Sequence, residues 1–426
     1  MNEDSGMNHS LAINLSKRID ILGSVLLQYA ATALSFVSVL ALAKILDVAA
    51  YGAFMYGLAL AALTQVITNA GNDRVLLPEI RRTASQYEAF RHIRSIVSIQ
   101  IASYISLTAM FVAFVWMRGA SNQLYVFCGL VWGGMVGLDQ RIVFDYIGKI
   151  RVHSTFVAAE RFFTFSVIIL CLYLGEAGMW LLYALSASRG LFTLIQYGYL
   201  SSFSRRAALP VFSQVRGGDR ASAVMMRVVY TIIALLSSAL IWGQIFLIEH
   251  SGDIKAVAYF GILLQLSASV QVAQAQLLRY YNVRIFLAAS SEGSNFKLGP
   301  ALLKATLISA VLTVLFVLLS AMVENYVVNG YNQLTRYAVL LGPWLIFLGP
   351  ASFVSQVFAS RERPLVHLIV VLTSMLISFF LTWLSVPFFG LAGAILGLSI
   401  GHMFSVGMQF ALLRYFGRVF GTRRGS

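Results

Sequence analysis

Arg189 is the residue with the most evident chemistry in this chain. It stands near the middle of Met179–Leu200, MWLLYALSASRGLFTLIQYGYL, and is the only charge there. About 20 apolar residues rising ~1.5 Å each cross a ~30 Å hydrocarbon core, so the stretch predicts a membrane helix. A cation at that depth costs roughly 2.5–3.5 kcal/mol on insertion scales unless it faces protein or water. Ser186, Arg189, Thr193 and Gln196 fall within about 80° of one another at 3.6 residues per turn, which makes one polar stripe. Two readings follow. Either the stripe lines an aqueous cavity where Arg189 meets an anion, or Arg189 packs against helix-end carbonyls or a carboxylate and holds the bundle together.

Amide and hydroxyl stripes recur on other predicted spans. Ser24, Gln28, Ser35 and Ser38 share a face of the first, and Gln65, Thr68, Asn69 and Asn72 a face of the second. The eighth carries Gln265, Ser269 and Gln276 on one side and Ser267, Gln271 and Gln274 on another. Such groups both donate and accept, which suits sugar hydroxyls. Each stripe would equally serve interhelical hydrogen bonds, worth only ~0.6 kcal/mol on average in membranes. Their presence on the first, second, sixth and eighth spans together favours one shared wet cavity. The candidate lining residues are Arg189, Ser186, Thr193, Gln196, Gln28, Gln65, Asn69, Gln265 and Gln276.

Charges cluster at the inner ends of the spans. Arg74 and Arg279 could receive a diphosphate arriving from the cytoplasmic leaflet, or serve topology and lipid contact alone. Asp139, Arg141, Asp145, Glu160 and Arg161 gather towards the inner ends of the fourth and fifth spans. Arg141 and Asp145 are spaced for an i, i+4 pair, which reads as an inner gate or as interfacial charge that snorkels to headgroups. His402 lies mid-span in the twelfth helix after Gly393, Gly397 and Gly401. Histidine changes charge near neutral pH, so it is a candidate proton-coupling group or a packing residue. That glycine run, like Gly129, Gly133 and Gly137 in the fourth span, predicts close helix contact.

Absences narrow the chemistry. No G-x-x-x-x-G-K-[ST] phosphate loop occurs, so ATP is not bound in that manner. Asp47, Glu176, Glu249, Asp253 and Glu324 fall at outer span ends, and the reading places no carboxylate in the middle of any span. Carriers of cationic drugs usually need such an acid. An anionic lipid-phosphate headgroup suits a buried cation better. Cys128 and Cys171 sit in apolar runs and read as small packing residues. No metal site, cofactor or catalytic residue is expected, and the chain does not read as an enzyme.

The elements that must position these groups are membrane helices. The 426 residues are 59% hydrophobic and 11% charged, against about 25% charged in soluble proteins. Twelve spans are predicted near 19–43, 53–71, 95–117, 123–146, 156–175, 178–200, 228–248, 256–278, 305–323, 337–359, 365–385 and 391–413. The net charge of +14 follows from topology: of 31 Lys and Arg, 26 fall in segments on one side and four on the other. That bias predicts both termini in the cytoplasm, a multi-pass protein of the inner membrane, and no nucleic-acid partner. Polar residues 1–16, then Lys17 and Arg18 ahead of the first span, read as an uncleaved first helix with a short tail.

The chain divides in two. The longest cytoplasmic loop, Ser201–Arg227, carries Pro210, Gly217 and Gly218 and falls at the midpoint. Asp47-Val-Ala-Ala-Tyr51 leads into the second span and Asp253-Ile-Lys-Ala-Val-Ala-Tyr259 into the eighth, with the tyrosines 208 residues apart. Six spans per half make the repeats parallel, as in several secondary transporters. The expected architecture is an all-α membrane bundle of about twelve helices in two pseudo-symmetric six-helix lobes, 1–214 and 215–426, around a central cavity.

The opening pattern of a basic-flanked first span, Ala43-Lys44-Ile45-Leu46, Ala50-Tyr51-Gly52, and a second helix ending Asn69-Ala70-Gly71-Asn72-Asp73-Arg74 resembles the Wzx-type polysaccharide-biosynthesis flippases. These belong to the multidrug/oligosaccharidyl-lipid/polysaccharide exporter superfamily. The stretch from Trp242 through Asp253 to Tyr259 resembles the family's second-half counterpart, with Gly243-Gln244 where members often carry an aspartate–arginine type pair. The resemblance implies alternating-access flipping of an isoprenoid-diphosphate-linked oligosaccharide for surface polysaccharide synthesis. It implies lipid-linked substrate and phospholipid as partners, with polymerase or export machinery beside them. The alternatives are a cation-coupled multidrug exporter of the same fold and a membrane-embedded glycan polymerase.

Overall fold

The computed structural model describes residues 4–69, 86–117, 123–147, 149–174, 179–204, 220–290, 298–327, 331–360 and 364–421, nearly all of them helical. The helices are α1 (Asp4–Ile45), α2 (Val48–Asn69), α3 (Gln86–Met117), α4 (Gln123–Gly134), α5 (Arg141–Tyr146), α6 (Ile150–Leu174) and α7 (Met179–Ser204). Then follow α8 (Arg220–His250), α9 (Ile254–Ser290), α10 (Leu298–Met322), α11 (Leu334–Ser360), α12 (Pro364–Phe389) and α13 (Leu391–Gly421). Among the described residues ten helices are long and apolar enough to cross a membrane. With α4 and its 3-10 extension to Leu138, and with α7, they make the expected twelve. This is a multi-pass membrane protein.

The fourth span departs from expectation. One helix was predicted over 123–146; instead α4 ends at Gly134, a 3-10 turn covers Met135–Leu138, and Asp139 is extended with φ −64° and ψ 128°. Gly129, Gly133, Gly134 and Gly137 fall in this stretch, and glycine favours helix least of all residues but proline. The small residues allow close approach in return. A Cβ on Gly129 would strike the Phe54 carbonyl of α2, and one on Gly57 the Val126 carbonyl of α4. The second glycine run behaves alike: Gly393, Gly397 and Gly401 lie against Ser385, Thr382 and Ser378 of α12.

Helix contacts repeat between halves. In the first, α1 packs on α6, α2 on α3 and α4, and α7 on α4 and α6. In the second, α8 packs on α12, α9 on α10 and α11, and α13 on α11 and α12. The halves meet where α2 touches α8 and α9 and where α1 touches α9. The predicted boundary between residues 214 and 215 lies outside the described residues. Hydropathy alone does not rank the helices, but packing does: 78% of the α2 span is buried within the protein against 17% of α3.

The sequence repeat is a repeat of caps. Asp47 Oδ1 accepts the Ala50 N–H at 2.8 Å, and Asp253 Oδ1 accepts the Ala256 N–H at 2.9 Å. An aspartate so placed satisfies an orphan donor of the first turn. This register pairs Tyr51 with Val257, so Tyr51 and Tyr259 are not equivalent.

Those tyrosines instead meet where the two halves join. The Tyr331 ring, from the turn before α11, sits 6.4 Å from that of Tyr51 and 5.0 Å from that of Tyr259. Tyr51 and Tyr331 are fully buried. Burial, with Tyr259 and Asp47 beside it, pushes the Tyr331 phenol further above its ordinary range, so it stays neutral. Glu324 fixes the approach, accepting from the Gln333 and Thr335 backbones and the Thr335 hydroxyl.

Candidate functional site

Apart from the tyrosines, α1, α5, α6 and α9 line a cavity of about 570 Å³. Its polar lining is Gln28, Thr32 and Ser35 of α1, Arg141 of α5, Arg161 of α6, and Gln265 and Ser269 of α9. Residues of the first-span and eighth-span stripes thus line one cavity, and among the described residues none of the second or sixth span does. Gln28 Nε2 also reaches Ser154 Oγ at 3.4 Å. The other face of α9 serves packing: Gln271 Nε2 donates to Ser267 Oγ at 3.4 Å and Gln274 Nε2 to Ser309 Oγ at 2.5 Å.

Arg189 is elsewhere. Its Nε lies 3.8 Å from Glu160 Oε1, and its guanidinium carbon 5.6 Å from the Trp132 ring centroid. Arg161 Nε lies 3.3 Å from the other oxygen of Glu160. The carboxylate is buried, and its Oε1 has no hydrogen bond. Thr164 and Ser188, their hydroxyls 3.4 Å apart, join α6 to α7 one turn further on.

Glu160 corrects the expectation that no acid lies within a span. The fifth span was placed from 156; the helix begins at Ile150, and its apolar span runs Ile150–Cys171 with Glu160 near the midpoint. His153 and Ser154 give this turn a polar look, yet both are buried among neighbouring helices. His153 Nε2 meets Asp139 Oδ1 at 2.7 Å.

The rest of the sixth-span stripe is interior. Thr193 Oγ1 donates to the Arg189 carbonyl, the Ser186 hydroxyl is buried without a partner, and Gln196 is buried. Gln65 packs its backbone against Gly137, and Asn69 ends α2. Arg74 and the side chains of Asp145, Gln276 and Arg279 lie outside the described residues. Asp139 pairs with His153 within the first half, whereas Arg141 faces the cavity. His402 is buried, with neither ring nitrogen hydrogen-bonded.

Two polar knots were not anticipated. Gln140 Nε2 lies 3.0 Å from Gln100 Oε1, the Leu138 carbonyl and the Tyr197 hydroxyl, its two N–H donors shared among them, and so ties α3 and α7 to the break after α4. In the second half Gln244 Nε2 donates to Ser378 Oγ at 2.9 Å, joining α8 to α12. The only sequence signal for either was an amide inside an apolar span.

The arrangement invites comparison with membrane carriers of known structure. A multidrug resistance MATE family transporter of the MOP superfamily in an inward-facing conformation superposes with a TM-score of 0.68, at 15% identity, over 93% of this chain and 96% of that one. The lipid II flippase MurJ, in an inward closed conformation, gives 0.64 at 12% identity over 92% and 87%. The fold is that of the MATE transporters and of MurJ. A mutant of the Vibrio cholerae MATE transporter VcmN shares it at a TM-score of 0.52 and 14% identity, over 96% and 98% of the two chains. No family model matches the chain, and no curated protein matches it in sequence.

Proposed function

We propose that this protein flips an isoprenoid-diphosphate-linked oligosaccharide across the cytoplasmic membrane by alternating access. One observation carries the reading. The cavity presents the cations Arg141 and Arg161 among amides and hydroxyls, and no carboxylate lines it among the described residues. Guanidinium forks match phosphate oxygens, and the amides suit sugar hydroxyls. The headgroup enters the cavity while the tail stays in lipid. The halves then rock about the contacts of α2 with α8 and α9 and of α1 with α9, opening the end that carries the tyrosines. In this reading that end faces outwards, both termini are cytoplasmic, Arg74 and Arg279 receive the headgroup, Arg141 with Asp145 gates the inner side, and His402 is available for proton coupling.

The second reading is a cation-coupled multidrug exporter. The buried mid-span Glu160 favours it, because such an acid can hold a cation or exchange a proton. Against it, two arginines already neutralise that acid.

The test measures lipid-linked saccharides in cells lacking the protein. Repeat units accumulating on their carrier at the cytoplasmic face, cleared by wild type but not by Arg161→Ala at equal membrane level, support the flippase. No accumulation, together with a drug-susceptibility shift, supports the exporter.

A further inference from the structure

Glu160 is one acid between two cations of different standing. Arg161 belongs to the cavity wall, its side chain 18% exposed; Arg189 lies behind, 11% exposed and over Trp132. The carboxylate currently sits closer to Arg161, while Oε1, facing Arg189, makes no hydrogen bond. We propose that Glu160 is a built-in competitor anion: a phosphoryl anion entering the cavity takes Arg161, and Glu160 moves onto Arg189.

Three features make the exchange workable. The trio has one net positive charge, so it accepts one more anion. The gap from Oε1 to Arg189 exceeds a charge-assisted hydrogen bond by about 1 Å, which a side-chain rotation closes while the Thr164–Ser188 contact holds the helices. A buried acid stripped of its partner is strongly destabilising. A second arginine in reserve keeps Glu160 paired whether the cavity is empty or full. The returning carboxylate then helps expel the headgroup, so binding stays weak enough for release. This inference rests on the proposed anionic cargo and assigns Glu160 as a positioning residue.

The experiment uses the full chain in detergent, titrated with farnesyl diphosphate and, separately, inorganic pyrophosphate, with tryptophan emission as readout. Wild type is expected to bind with an emission change that Trp132→Phe removes, because Arg189 shifts over that ring. Glu160→Gln is expected to bind about tenfold tighter, without the Trp132 change, and to clear lipid-linked saccharide more slowly. Arg161→Gln is expected to bind at least tenfold more weakly. Farnesyl diphosphate outcompeting pyrophosphate assigns the anion to a lipid headgroup; equal binding assigns it to free phosphate, and either supports the exchange. Unchanged or weaker binding by Glu160→Gln overturns it. If that variant does not fold, a wild-type emission change insensitive to Trp132→Phe overturns it instead. Tighter binding by Glu160→Gln without saccharide accumulation in deleted cells leaves the exchange standing and removes the flippase reading.

Discussion

Asp47 and Asp253 make the same bond at equivalent places in the two halves, each carboxylate capping the first turn of a helix at the interface between them. The helices they start abut: a Cβ on Gly52 would strike the Ile254 carbonyl. Replacing an aspartate cap by alanine typically costs ~1 kcal/mol. Asp47→Ala and Asp253→Ala are each expected to lower the thermal midpoint in detergent. Because the helix starts touch, the double variant is expected to deviate from additivity. Additive losses would mean that the two caps act on independent structures.

Glycine positions separate by what surrounds them. Gly129→Ala and Gly57→Ala would drive a methyl into a backbone carbonyl across the α2–α4 contact. Overpacking of this kind costs about 1–3 kcal/mol. Gly198 in α7 has nothing within 4 Å of its Cβ position, so Gly198→Ala is expected to be neutral or to stabilise by up to ~1 kcal/mol. Melting curves of the three variants check the order. Equal effects would show that helix propensity, not contact, sets the cost.

How much of this was legible beforehand depended on whether a residue's role is local. Span number and the α1 and α9 stripes follow from hydropathy and 3.6-residue spacing, and the structure returns Gln28, Ser35, Gln265 and Ser269 in one cavity. The close contact of Gly393, Gly397 and Gly401 was equally readable. Glu160 was not, because its depth depends on where α6 begins, and the helix starts at Ile150, six residues before the predicted span. Arg189 showed only that it needed a partner; which partner is a tertiary fact. The break after Gly134 escaped notice because glycine in a membrane span signals packing and interruption alike.

The tyrosine cluster makes a prediction about access. Tyr331 joins the two halves by packing edge-on to Tyr51 and tilted against Tyr259, and ring pairs of this kind are worth ~0.5–1.5 kcal/mol beyond area. Tyr331→Ala is expected to shift the population towards an opened end. With that end facing outwards, as proposed, an impermeant thiol reagent applied from outside should then label a chain carrying Ala256→Cys and lacking Cys128 and Cys171 several-fold faster. Ala256 is buried at that end, so an unchanged rate would mean that the cluster is not what closes it.

Arg189 and Glu160 supply the last prediction, which separates pairing from substrate contact. Truncating one member of a buried pair costs about 3–5 kcal/mol, whereas removing both charges is often close to neutral. Arg189→Ala is therefore expected to lower the membrane level of the protein and its melting temperature. Its loss falls at the lower end, because Arg161 still holds one oxygen of Glu160. Glu160→Gln combined with Arg189→Gln is expected to restore level and stability, since two amides fill the space without a charge. The decisive readout is transport by the restored variant. Clearance of lipid-linked saccharide at the rate of Glu160→Gln alone would show that Arg189 serves Glu160 and that Arg161 and Arg141 meet the cargo. A stable variant that clears nothing, where Glu160→Gln alone still clears, would return Arg189 to the list of groups that bind the headgroup directly.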